Sequence, residues 1–414
     1  MNRKQFVTLI VLGLVVGGLG LYLYNKQKES YTASSFASDA RVIKDFPLNT
    51  VAQVRILEQT NEVHLVRGEQ GWTVQERHNY PANFSEISEF LRKTWELKPV
   101  QEVEVGASQY GRLELVNPAE SKGENSGTLV EFKDDKGAVL KSMVLGKSQT
   151  RESPPSQFGG GGEYPVGRYI LVPENPPKVW LVSETFTSVE PQPQQWINKD
   201  WFKVEKIKSV AVTSPNPAHT WTITRESEGG DWQMASLSGD ESFDKAKASS
   251  LNYLLSSPSF NDVAGLDAEI AATNQLVQAK ILTFDGFTYD VRVAGQTNDE
   301  SLLLSVDVSG DFTKERSAPA DEKPEEKEQR DQEFKEKLDK LQEKLKNEQK
   351  FNPWTYQVSK WTVDALLKPR TDFFATPSEP QESESPSLEL PSGVPPFPAL
   401  PPELKDIIPP EPAE

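Results

Sequence analysis

The chain has 414 residues, a formal net charge of −17 and no Cys. That length has room for two ordinary domains. The acidic balance lacks the clustered basic surface that phosphate neutralisation needs, which excludes nucleic acid as a partner. The lack of Cys excludes disulfides, thiolate zinc sites, iron–sulfur ligation and a Cys nucleophile.

From Phe6 to Tyr24 run nineteen residues without a charge, preceded by Arg3 and Lys4 and followed by Lys26 and Lys28. At about 1.5 Å per residue this run is long enough to cross a bilayer. Tyr22 and Tyr24 fall where an interfacial aromatic belt lies. The spacing predicts one transmembrane helix over residues 6–24, contacting the lipid bilayer from Phe6 to Tyr24. A cleaved signal peptide is the alternative, with Ser35-Phe36-Ala37 as a distant cleavage site. Residues 1–5 form a short cytoplasmic tail, residues 25–45 a linker, and everything after Tyr24 lies outside the bacterial inner (cytoplasmic) membrane. No Cys follows the apolar run, so a lipoprotein anchor is excluded.

Residues 46–202 read as a first α+β unit. Val51 to Leu57, Glu62 to Arg67 and Gly71 to Arg77 alternate apolar and polar residues between turn signals, the pattern of three strands. Asn83 to Leu97 then reads as a helix, with Phe84, Ile87, Phe90, Leu91 and Trp95 on one face and Asn83 with Glu86 at a capping-box-like start. Thr128 to Phe132 and Ala138 to Gly146 form a hairpin, and Val179 to Ser183 a later strand.

Residues 203–374 repeat this order. Strands are expected at Ile207 to Thr213, His219 to Arg225 and Asp231 to Ser236, and a helix from Asp244 to Ser256. A hairpin follows at Lys280 to Phe284 and Phe287 to Gly295, then a strand at Thr355 to Ser359. Trp72 corresponds to Trp232, and Asp200-Trp-Phe202 to Asp372-Phe-Phe374. The fold expected is therefore α+β: two tandem related units of antiparallel β-meander plus a covering helix, preceded by one transmembrane helix. Trp72 and Trp232, repeated at equal positions, are expected in the core.

Residues 313–351 interrupt the second unit. Between Lys314 and Lys350, 23 of 37 residues are charged, 11 positive and 12 negative. Phe334, Leu338, Leu341 and Leu345 mark one stripe of a helix two heptads long. That stripe suits a partner helix, self-association, or a helix laid on its own domain; two heptads are short for an autonomous coiled coil. Residues 375–414 hold twelve Pro and eight acidic side chains against one Lys, a composition that predicts a disordered, partly polyproline-II tail. It serves as a spacer or, through its apolar points, as a docking peptide.

No catalytic, cofactor or metal residue is named from the sequence. Gly159 to Gly162 lack the Gly-Lys-Ser/Thr of a phosphate cradle and read as a hairpin loop. His64, His78 and His219 are scattered without metal-ligand spacing. Asp134 and Asp135 fit a β-turn, and no Gly-x-Ser-x-Gly elbow occurs.

The parts Arg3-Lys4 with Phe6 to Tyr24, Val51 to Leu57, Gly71-Trp72, Tyr80-Pro81-Ala82 and Val179 to Ser183 together resemble a bacterial membrane-anchored family, domain of unknown function 4340. The resemblance covers roughly residues 1–375. It implies a link to ABC-type transporters, including those of gliding-motility type, and brings no catalytic residue. The charged insertion and the Pro-rich tail depart from the family's short form. The function expected is a non-enzymatic membrane-anchored accessory or scaffolding protein of a bacterial envelope complex, with an ABC permease as the membrane-protein partner. The alternatives are an extracytoplasmic ligand-binding module for envelope polymer or peptide, with Trp196 or Trp201 lining a cleft, and an uncharacterised enzyme.

Overall fold

The computed structural model describes residues 40–375, apart from 122, 124, 153–161, 240, 267–274, 296–300 and 318–322. Two large antiparallel sheets make up most of it. The first has nine strands: β1 (Gln53–Glu58), β2 (Asn61–Gly68), β3 (Gly71–Val74), β4 (Tyr80–Pro81), β5 (Pro99–Val103), β6 (Thr128–Lys133), β7 (Val139–Glu152), β8 (Glu163–Val172) and β9 (Lys178–Val182). Their spatial order is β4-β3-β2-β1-β6-β7-β8-β9-β5. The second has eight: β10 (Ile207–Thr213), β11 (Trp221–Thr224), β12 (Gln233–Met234), β13 (Asp262–Leu266), β14 (Gln275–Thr283), β15 (Phe287–Gly295), β16 (Leu302–Gly310) and β17 (Trp354–Val358), in the order β12-β11-β10-β14-β15-β16-β17-β13. In both, the strand before the long hairpins crosses to the far edge and pairs with the last strand.

Period-2 alternation decides which side chains go inward. Along β15, Phe287, Tyr289, Val291 and Val293 are buried while the residues between them are half-exposed. Val63 and Leu65 do the same on β2. The legs of the β7–β8 hairpin run on past β6 and β9, so their distal ends pair only with each other.

One helix covers the first sheet. α1 (Phe84–Glu96) begins at Asn83, whose side chain accepts from the backbone N–H groups of Ser85 and Glu86. The Asn83 N–H itself donates to the Trp196 carbonyl, so the cap is completed from another element rather than by Glu86. Ile87, Phe90, Leu91 and Thr94, spaced 3, 1 and 3, are its buried residues. After a single helical turn at Pro193–Trp196, two longer helices follow, α2 (Pro324–Glu348) in the insertion and α3 (Lys360–Leu367) after β17.

The expected α+β class is corrected here: the chain is mainly β, with few helices. The covering helix expected from Asp244 to Ser256 does not form; the segment holds a short 3-10 turn at Ser249–Tyr253. Its buried residues are Ala248, Leu251, Leu254 and Leu255. Ala248, Leu251 and Leu255 keep the 3 and 4 spacing of a helical face, but Leu255 takes a left-handed backbone (φ 51°) through which no helix continues.

The picture of two tandem units, each closed by its own helix, is corrected as well. The described residues up to Phe374 form one compact unit, and one hydrophobic cluster runs through residues of both sheets. Trp72 and Trp232 are both buried in it, as the sequence led us to expect. Among the described residues no helix is long and apolar enough to cross a membrane. The span from Phe6 to Tyr24 lies outside the described residues, as do most of the linker and, beyond Ala375, the Pro-rich tail.

The two sheets meet in an aromatic seam. Tyr80 on β4 stands edge-on to Phe260, Trp354 and Tyr356, with ring centroids 6.2, 5.1 and 6.1 Å away. Trp201 packs on Phe260 and Tyr356 at 5.1 and 4.9 Å. At its rim the Arg77 guanidinium forks onto Asp262, with Nε 2.7 Å from Oδ1 and Nη2 2.6 Å from Oδ2.

Candidate functional site

The insertion helix forms one wall of a groove. α2 is polar almost all round, and its apolar stripe reaches the body near the C-terminal end, where Leu341 and Leu345 pack against the core while Phe334 and Leu338 are half-buried. Between this end and the strand-like stretch after Trp201 runs a groove of about 480 Å³, with Asp200, Lys203 and Glu205 on one wall and Lys340, Glu343 and Lys344 on the other.

The groove's floor holds a buried carboxyl. Glu348 is only 7% exposed. Its Oε1 accepts from the Lys203 backbone N–H at 3.1 Å, and its Oε2 lies 2.7 Å from the Tyr289 hydroxyl. Burial pushes the Glu348 carboxyl above the usual carboxylate range; the bonds from Tyr289 and Lys203 and the charge of Lys344 pull the other way without cancelling it. The Tyr289 phenol is likewise pushed up, first by burial and then by the neighbouring Glu348. Lys344 sits 2.6 Å from Glu205 and 3.9 Å from Glu348, so its charge goes first to Glu205.

Behind the seam, burial pushes the Tyr80 phenol up to about 12 and the Tyr356 phenol up as well. Two cations whose charge is weakened by partial desolvation are held by carbonyls. Arg168, lowered by burial, donates to the carbonyls of Gly146, Thr185 and Phe186. Lys199, also lowered by burial, donates to the Asn261 carbonyl and stands 4.8 Å from the centre of the Phe260 ring.

A second, smaller groove of about 340 Å³ lies beside α3. It is flanked by Tyr253 and Trp361, which are 79% and 67% exposed, and floored by Leu254 and Leu255. Trp361 is exposed because α3 turns Thr362, Val363 and Leu366 inward.

The residues weighed from the sequence lie apart. His64 sits on an open strand face with Nδ1 2.7 Å from Glu76 and Nε2 3.2 Å from Glu62. His219 Nδ1 is 3.0 Å from the Leu367 carbonyl, and His78 occupies a left-handed turn. Asp134 accepts from the N–H groups of Lys136 and Ala138 and so closes the β7 turn, as expected of it. Gly159 to Gly161 lie outside the described residues. Trp196 and Trp201, expected to line a cleft, are instead 3% and 8% exposed, although the Trp201 ring does border the α2 groove. Among the described residues no three His, Asp or Glu side chains come together as a metal site.

Sequence reasoning did not single out Glu348 or Tyr289. The signal for Glu348 was present: it continues the 4, 3 spacing of the stripe that runs through Leu341 and Leu345, so a carboxyl stands where an apolar residue belongs. Tyr253 and Trp361 carried no such signal, since exposure is decided by how their segments pack.

Residues 72–279, about half of the chain, match the model of a domain of unknown function, DUF4340. No curated protein and no solved structure matches the chain.

Proposed function

Since the chain belongs to the DUF4340 family, we propose that it is a non-enzymatic accessory or scaffolding protein of a bacterial envelope complex, anchored in the inner membrane and linked to an ABC-type transporter. One observation carries this reading. The buried carboxyl of Glu348 and the half-buried guanidinium of Arg168 are each engaged in holding the fold, the first by the Lys203 N–H and the Tyr289 hydroxyl, the second by backbone carbonyls. The uncharged run from Phe6 to Tyr24 supplies the anchor, and the large two-sheet body supplies surface for a membrane-protein partner.

Affinity recovery of the full chain after mild detergent extraction tests it. An ABC permease should copurify; repeated recovery of the chain alone from fully solubilised membranes overturns the reading. Protease added to intact spheroplasts should digest the body, and protection until lysis would refute its outward placement.

A second reading, an extracytoplasmic module that binds envelope polymer or peptide, is favoured by the exposed pair Tyr253 and Trp361. Retention of the protein on isolated envelope polymer, lost in Trp361→Ala, would support it over the first.

A further inference from the structure

The C-terminal turn of α2 is fastened by a ring of hydrogen bonds that needs one more proton than an ionised Glu348 provides. Tyr289 Oη lies 2.7 Å from Glu348 Oε2 and 3.1 Å from the Lys203 carbonyl oxygen. A phenol owns a single proton. If Glu348 is ionised, Tyr289 serves either the carboxylate or the carbonyl, and the other acceptor goes without. If Glu348 carries a proton on Oε2, every member is satisfied. The acid O–H donates to Tyr289, Tyr289 donates to the Lys203 carbonyl, and the Lys203 N–H donates to Glu348 Oε1 at 3.1 Å. We propose that Glu348 is a neutral carboxylic acid when α2 is docked, and that it acts as a proton-operated latch holding this helix on the second sheet.

The surroundings agree. From α2, Lys344 faces Glu348 at 3.9 Å but pairs with Glu205 at 2.6 Å. From the stretch after Trp201, Glu205 adds a like charge, and Asp200 and Lys203 line the same groove with Lys340 and Glu343. From β15, Tyr289 offers the only hydroxyl among the groups bonded to Glu348. Burial raises the carboxyl above its ordinary range. A carboxyl raised in the docked state contributes docking strength that is fully present below its free value and is lost as pH rises through the docked value. Acid therefore closes the latch, and rising pH loosens the turn that carries Leu341 and Leu345.

Amide hydrogen exchange of residues 341–351, measured on the full chain in detergent micelles and corrected for the intrinsic pH dependence, tests this. Protection in the wild type should fall about tenfold per pH unit across the window between the free and docked values. Glu348→Gln should stay docked with a flat profile, because an amide supplies both the N–H for Tyr289 and the oxygen for Lys203. Tyr289→Phe should lose the excess protection seen at low pH. Wild-type protection that stays constant or increases with pH, or a Glu348→Gln protein loosened at every pH, would overturn the latch. If that variant does not fold, the wild-type profile decides alone.

Discussion

α1 and α2 are both laid on a sheet, yet they are held by different physics. α1 has 13 residues and buries Ile87, Phe90, Leu91 and Thr94. The Phe90 ring alone meets Phe132, Phe186 and Trp196 at centroid distances of 5.8, 5.9 and 6.0 Å. α2 has 25 residues and reaches the core with Leu341 and Leu345, ending on the polar ring around Glu348. Apolar burial is non-directional and indifferent to pH, whereas a hydrogen-bonded carboxyl is directional and titrates. Length does not decide how firmly a helix is attached; the character of the contact face does.

The largest effect should come from the α1 face. Phe90→Ala should cost about 3–5 kcal/mol in urea unfolding, the usual range for deleting a buried ring. Leu345→Ala, at a half-buried position, should cost about 1–2 kcal/mol, below the range for fully buried Leu. Equal losses at the two sites would erase the contrast. At the helix starts the difference is smaller. Asn83→Ala removes a side chain that caps two N–H groups and should cost about 1 kcal/mol. Lys323→Ala, where no side chain caps α2, should stay within about 0.5 kcal/mol. Smallest of all, Arg92→Ala breaks an exposed i,i+4 pair with Glu96 on α1 and should shift stability by about 0.3–0.5 kcal/mol. A larger loss there would mean that α1 leans on surface charge more than its buried face implies.

Much of the β architecture was legible because alternation is a local signal. β10 falls on the segment expected of it, Ile207 to Thr213, and β15 on Phe287 to Gly295. α1 was legible for the same reason, its 3 and 4 spacings matching one helical face, except that Phe84, expected on that face, is 64% exposed at the first turn and Thr94 is buried in the stripe. The second covering helix was misread because Ala248, Leu251 and Leu255 keep the 3 and 4 spacing of a helical face, while packing settled the segment as a short 3-10 turn. The burial of Trp196 and Trp201 was also out of reach, since it depends on partners such as Phe90 and Tyr356, more than 100 residues away in sequence. The groove under α2 was half legible: the stripe announced where the helix would land, but not that Tyr289 and the Lys203 peptide would be waiting there.

The aromatic seam has a consequence for biosynthesis. Tyr80 belongs to the first sheet, while its ring partners Trp354 and Tyr356 lie on β17 of the second and Phe260 just before β13. A nascent chain made from its N-terminus therefore completes the β1–β9 ladder with that edge still bare, and the edge stays bare until translation has passed Val358. Ribosomes that stall before this point release an unfinished protein with a sticky flank, a natural substrate for chaperones and quality-control proteases.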